Sequence, residues 1–140
     1  DYNIPSLKDL CLNEINYDDR TAFTFKWGYN TGIERINYYL WESKKLSFYK
    51  KTRNGLIGKD YSSKLSSWLA NGSLSPRIIY QSIKDYEFKI EKNQSTYWMI
   101  FELIWRDFFK YISRLNGNKI FKIGGILEKN YHCIQDKIIF

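Results

Sequence analysis

A chain of 140 residues is long enough for one domain with its own core, and its two cysteines and single histidine exclude a disulfide framework and a His/Cys metal set. Net charge is +7 but uneven: residues 1–43 hold four Lys/Arg against seven Asp/Glu, whereas residues 44–140 hold eighteen against eight. With five Trp, twelve Tyr and nine Phe, more aromatic side chain than a core of this size needs, the basic part suggests a nucleic-acid surface, against the plain alternative of a lysine-rich soluble face.

Residues 1–29 lack periodicity. Pro5-Ser6 offers a cap before Leu7–Leu12. No hydrophobic leader and no membrane-spanning run are present, so an intracellular, cytoplasmic monomer is expected, in a nucleus or organelle if the source is eukaryotic. The chain starts without a head and ends on apolar Ile138-Ile139-Phe140 with no stop signal, and is therefore expected to be cut from a longer protein. Asn71-Gly-Ser and Asn93-Gln-Ser fit the glycosylation pattern, which recurs by chance.

Thr31-Gly-Ile-Glu34 has the form of a capping box, and Ile33, Ile36, Tyr39 and Leu40 follow at helical spacing to Trp41–Glu42. Lys44–Lys64 holds seven basic residues and one acid, interleaved with Phe48, Tyr49 and Tyr61. Leu46–Lys51 reads as a short helix, and Asn54-Gly55 marks a turn in the loop Arg53–Tyr61. Gly55-Leu-Ile-Gly58-Lys59 is no P-loop, because Asp60 stands where a hydroxyl must hold magnesium. It is also too short a match for a KH-type RNA clamp. Ser62-Ser63-Lys64-Leu65-Ser66 opens the next helix, which ends near Gly72. Three hydroxyls at a helix start suit an anion, or serve only as caps. Ser75-Pro76 starts another helix with the stripe Ile79, Ile83, Tyr86 and Ile90, ending at Asn93-Gln94.

Ser95–Gly117 predicts one long helix, capped by Ser95, stopped by Gly117 and carrying Arg114 in its last turn. Apolar residues surround its axis, so it is expected to be buried in a larger body. Glu102 and Arg106 are charges in that setting, four residues apart, with Trp105 beside them. They form either a simple i, i+4 ion pair or, with the indole, the floor of a ligand pocket. After Gly117 come Ile120–Ile123, Gly124-Gly125 and a weaker amphipathic segment to Phe140. No strand alternation is convincing, and the architecture is expected to be all-α, with four or five helices.

Tyr49–Tyr80 (YKKTRNGLIGKDYSSKLSSWLANGSLSPRIIY) followed by Ser95–Phe109 (STYWMIFELIWRDFF) resembles the flavin-binding helical domain of the photolyase/cryptochrome family, in its DASH branch. The likeness continues through Pro5-Ser-Leu, Asp19–Phe23, Tyr39-Leu-Trp41, Ile120-Phe121 and Gly124-Gly125. Two departures stand out. Trp27-Gly28-Tyr29 replaces the usual Gly-Gly-Glu and is expected to alter the lip of the site, and Ser67 stands before Trp68 where proline is usual. The resemblance implies that residues 1–140 are the first part of the helical domain, without the α/β antenna domain or the carboxy-terminal half of the flavin cradle.

By that resemblance Tyr49 and Ser62, Ser63, Lys64, Leu65 and Ser66 hold the phosphates and ribityl chain of FAD, with Arg106 beside the phosphates. Trp98 is a further flavin candidate, equally well explained as core. Arg53 matches a residue near the DNA backbone. Glu102 and Trp105 match the acid and indole that meet a flipped pyrimidine dimer. The implied activity is blue-light-driven, FAD-dependent splitting of cyclobutane pyrimidine dimers, preferentially in single-stranded DNA, with RNA as another single-stranded partner. A folate antenna belongs to the family, but its main site is not in this chain. The alternatives are a light-sensing flavoprotein that binds nucleic acid without repair, and a non-catalytic basic helical piece.

Overall fold

The computed structural model describes residues 5–13, 17, 18 and 20–129. Asp19, His132, Cys133 and most of the segment expected to reach Phe140 lie outside the described residues. Among the described residues every regular element is helical: α1 Tyr29–Asn37, α2 Tyr49–Thr52, α3 Ser66–Ala70, α4 Pro76–Lys89 and α5 Gln94–Asn116. Short 3-10 turns at Lys45–Phe48 and Gly117–Phe121 precede α2 and follow α5. The all-α expectation holds.

Near the amino terminus Ser6 and Asp9 cap one another, with Ser6 N 2.9 Å from Asp9 Oδ2 and Asp9 N 3.2 Å from Ser6 Oγ. Leu7–Cys11 nevertheless form turns rather than a helix. Leu7, Leu10 and Leu12 are exposed, so no burial reinforces the cap.

The start of α1 corrects the expected capping box. The helix begins at Tyr29 behind Gly28, whose φ of 102° suits a residue without a Cβ. Thr31 is already inside the first turn. Its hydroxyl lies 2.8–3.0 Å from the carbonyls of Lys26, Trp27 and Gly28, so its one proton is donated backwards into that group and it caps no amide of the helix. The helical run reaches Glu42 as expected, through a π turn over Tyr38–Glu42 closed by Ser43 N to Tyr38 O at 2.8 Å.

The helix α4 follows its sequence signals. Ser75 Oγ accepts from Arg77 N at 3.2 Å, Pro76 takes the first position, and Ile79, Ile83 and Tyr86 are buried. It stops at Lys89, before the expected Asn93. Asn93 instead opens α5. Its extended backbone brings Oδ1 to 2.8 Å from Ser95 N and 3.1 Å from Thr96 N, while Asn93 N donates to Thr96 Oγ1. Ser95, the expected cap, already lies within the helix, and its hydroxyl accepts from Lys50 N at 3.2 Å. Asn93→Ala is therefore expected to cost about 1 kcal/mol of stability, seen as a lower urea midpoint with an unchanged slope.

The core gathers α1, the Lys45–Phe48 turn, α2, α3 and α4 around the first turns of α5. Only Ser95, Thr96 and Met99 of α5 are buried. Ile104, Phe109, Tyr111 and Leu115 are 58–81% exposed. The expected burial of the whole helix thus holds for its start alone. Ile100 and Leu103 still pack against the core, but beyond them the large apolar side chains are mostly exposed. Gly117 ends the helix with φ 52°.

Candidate functional site

The amino-terminal half of α5 faces α2, α3 and α4 across a cavity of about 410 Å³. Tyr49, Ser63, Ser66, Glu102 and Arg106 supply its polar lining, and Leu65, Leu69, Ile79 and Met99 its apolar walls. A helix of 3.6 residues per turn puts residues 99, 102, 103 and 106 on one face, which is why α5 contributes at that spacing. Burial pushes the Tyr49 hydroxyl above its ordinary pKa, so it stands as a neutral phenol able to donate.

Glu102 and Arg106 both line this space, yet they do not pair. Glu102 forms its ion pair with Arg53, forty-nine residues earlier. Arg106 Nη1 lies 3.1 Å from Asp107 Oδ1, which leaves most of the guanidinium fork without a partner among the described residues. The i, i+4 alternative is thereby replaced by a tertiary contact. Arg53 also lies 5.4 Å from the centre of the Trp98 ring, with Lys50 Nζ at 4.8 Å. Trp98 packs against the core, and its buried Nε1 has no hydrogen-bond partner among the described residues. It does not line the cavity.

Trp105 departs from the expected floor. It lies 60° around the helix from Glu102, where it borders a small apolar space of about 170 Å³ with Phe101, Ile104 and Phe108. Its ring stacks on Phe109 at 5.4 Å and meets Phe108 edge-on at 5.2 Å. Acid and guanidinium thus share the cavity, and the indole does not. Trp27 and Tyr29 are 69% and 53% exposed and are not at its lip.

The serine segment is built differently from its sequence expectation. The helix α3 starts at Ser66, not Ser62, and spans five residues, too short to offer a developed dipole. Ser63 and Ser66 line the cavity; Ser62 and Lys64 do not. Lys64 turns the chain with a left-handed φ of 60°. Arg35, which the sequence did not single out, holds the preceding strand of loop. Its guanidinium donates to the carbonyls of Lys59 (2.8 Å), Ser62 (3.2 Å) and Ser63 (2.9 Å) and to Asp60 Oδ1 (3.1 Å). The available signal was its place on the apolar stripe of α1, beside Ile36 and Tyr39.

On the other side of α2, Lys45, Lys51 and Lys59 border an open space of about 440 Å³ with Phe48, Ile57 and Tyr61. Asp60 adds no free acid there, being taken by Arg35 and by the Tyr38 hydroxyl at 3.0 Å. Among the described residues no cluster of His, Cys, Asp and Glu is suited to a metal, and no helix is long and apolar enough to cross a membrane.

No family model matches the chain. Individual proteins do. It is 49% identical over 127 residues to a protein of Synechocystis named cryptochrome DASH, a match that covers 91% of this chain. It is 46% identical over 137 residues to the cryptochrome DASH of Danio rerio, covering 98% of this chain. The crystal structure of a Synechocystis cryptochrome superimposes with a TM-score of 0.87 at 45% identity, across 99% of this chain. The chain belongs to the DASH cryptochrome family. It spans about a quarter of the length of these relatives: 26% of each of the two proteins and 28% of the crystallised chain. The helices of this DASH-family chain, α1 to α5, correspond to a fragment of the helical domain of the longer relatives. A relative in Ostreococcus tauri, 52% identical over 122 residues, is named as chloroplastic/mitochondrial.

Proposed function

We propose that this chain forms the first part of the FAD-binding domain of a DASH-type photolyase, which splits cyclobutane pyrimidine dimers under blue light, preferentially in single-stranded DNA. The observation that carries the reading is the single cavity that unites Tyr49, Ser63, Ser66, Glu102 and Arg106. Its volume lies within the range of about 300–1,000 Å³ usual for small-molecule sites. Its composition also suits a ligand with a flat apolar part and an anionic part. Bound FAD would supply the light absorption and the single electron that the dimer needs.

The residues of this chain supply binding and polarity. Arg106, with guanidinium donors unpartnered among the described residues, pairs with a phosphate, and the Tyr49 and serine hydroxyls complete its hydrogen bonds. Glu102 stands on the same wall, available to a ring amide or carbonyl of the dimer. Arg53 reaches a DNA phosphate by exchanging its carboxylate partner for one. Lys45, Lys51 and Lys59 extend the positive surface along a flexible strand. Trp105, outside the cavity, offers an aromatic face for an extruded base only from the side. In this reading the antenna domain, its folate site and the remaining flavin contacts are supplied by the longer protein.

The test is a flavin titration of the protein followed by desalting. Saturable binding with a flavin band that survives desalting is expected, and Arg106→Ala should weaken it about tenfold, the loss of one charge-assisted hydrogen bond. A colourless protein, in this chain and in any longer chain that contains it, would overturn the reading.

A further inference from the structure

Arg35 is the only buried cation among the described residues, with 4% of its side chain exposed. A charge so enclosed costs several kcal/mol unless its donors are satisfied. Here four of the five N–H donors of the guanidinium are used, and all four bonds go to one short segment, Lys59–Ser63. The rings of Phe23, Tyr39 and Tyr38 enclose the guanidinium at 4.8, 5.3 and 5.4 Å. Beside those four bonds, the segment is held by the Tyr38 hydroxyl on Asp60 at 3.0 Å and by Lys59 over the Tyr38 ring at 5.2 Å. Among the described residues, the backbone of residues 56–64 makes no backbone–backbone hydrogen bond. Beyond Ser63 comes Lys64 in its left-handed turn, then buried Leu65 and the start of α3. A non-glycine residue persists in that conformation only where its surroundings impose it.

Ser63 belongs to both halves of this arrangement. Its carbonyl accepts from Arg35 Nε at 2.9 Å, and the residue lines the 410 Å³ cavity. We propose that Arg35 is the positioning residue of this cavity: without touching the ligand, it fixes Lys59–Ser63 so that Ser63 and Ser66 present their hydroxyls to a phosphate-bearing group. The identity of that group rests on the function proposed above; the clamp does not. Lysine cannot replace arginine here. An ammonium offers a point charge, whereas three carbonyls and a carboxylate around one plane need the guanidinium fork.

The experiment compares Arg35→Lys and the milder Asp60→Asn with the unchanged 140-residue chain. Two quantities are read: the rate of trypsin cleavage after Lys59 and Lys64, relative to cleavage after Lys110 and Lys119, and the FAD dissociation constant by fluorescence titration. For Arg35→Lys the relative cleavage rate is expected to rise at least tenfold and the dissociation constant at least tenfold, with Asp60→Asn between it and the unchanged chain. A purely structural defect would accelerate all four cleavages together, and that result overturns the proposal. So does unchanged cleavage after Lys59 and Lys64. Faster local cleavage with unaltered FAD affinity removes the positioning role. Should the unchanged chain bind no FAD, the titration moves to a longer chain that contains it, the flavin reading fails only if that chain is colourless too, and the cleavage ratio decides in either case whether Arg35 sets the wall. Should Arg35→Lys not fold, Asp60→Asn decides by the same two readings.

Discussion

Glu102→Ala is expected to slow dimer repair in single-stranded DNA by about 10²–10³-fold, the usual cost of deleting one preorganised polar group that faces developing charge. Flavin retention should persist, because Arg106, Tyr49 and the serines remain in the cavity wall. Unfolding cannot supply an effect of this size. The Arg53–Glu102 pair is about one-third exposed on each side, and such pairs are worth at most about 1 kcal/mol. The measurement is repaired dimer per unit of blue light, with flavin absorbance as the control for loading. Glu102→Gln sharpens it. The amide keeps a hydrogen-bonding head of the same shape but loses the attraction to Arg53. Substantial repair by the glutamine variant assigns the contribution to the hydrogen bond; loss equal to that of alanine assigns it to the charge. Normal repair by Glu102→Ala would remove Glu102 from the chemistry. A flavin-loaded parent that repairs nothing would favour light sensing without repair.

The largest effect on stability is expected at Trp68. Its side chain is buried, its Nε1 donates to Lys26 O at 3.1 Å, and its ring meets Phe25 at 5.3 Å and Phe23 at 6.1 Å. It therefore pins the irregular segment 23–26 onto α3, which is too short to hold itself. Trp68→Ala should cost about 3–5 kcal/mol, most of the stability of a domain that has only about 5–15 kcal/mol in all. Chemical denaturation followed by near-ultraviolet dichroism would show a transition displaced to near zero denaturant. Trp68→Phe keeps an aromatic ring in place but loses the donor and part of the volume, so its cost should lie between about 1 and 3 kcal/mol. An alanine variant as stable as its parent would show that residues 23–26 do not contribute to the core.

Elements whose signals are local are legible in the sequence. Ser75, Pro76 and the stripe Ile79–Ile83–Tyr86 define α4 because cap, first turn and buried face lie within twelve residues. Gly117 ends α5 for an equally local reason, its positive φ. The cavity was partly legible. Tyr49, Ser63, Ser66, Glu102 and Arg106 all stand in motifs that carry the family resemblance, and the fold brings them to facing sides of one cavity.

Tertiary structure decided which polar groups are partners. Thr31 and Ser95 each look like helix caps by type and position. The carbonyls of residues 26–28 claim the hydroxyl of one, and Asn93 claims the amide of the other. Glu102 had a cation one turn away but pairs with Arg53, forty-nine residues earlier. Arg35 had no visible role because its acceptors lie twenty-four to twenty-eight residues downstream, in a loop without periodicity. Periodicity and capping operate within one or two turns of a helix, so a sequence displays them directly. A buried charge is satisfied only by the groups that folding brings around it, and those are set by how helices and loops pack.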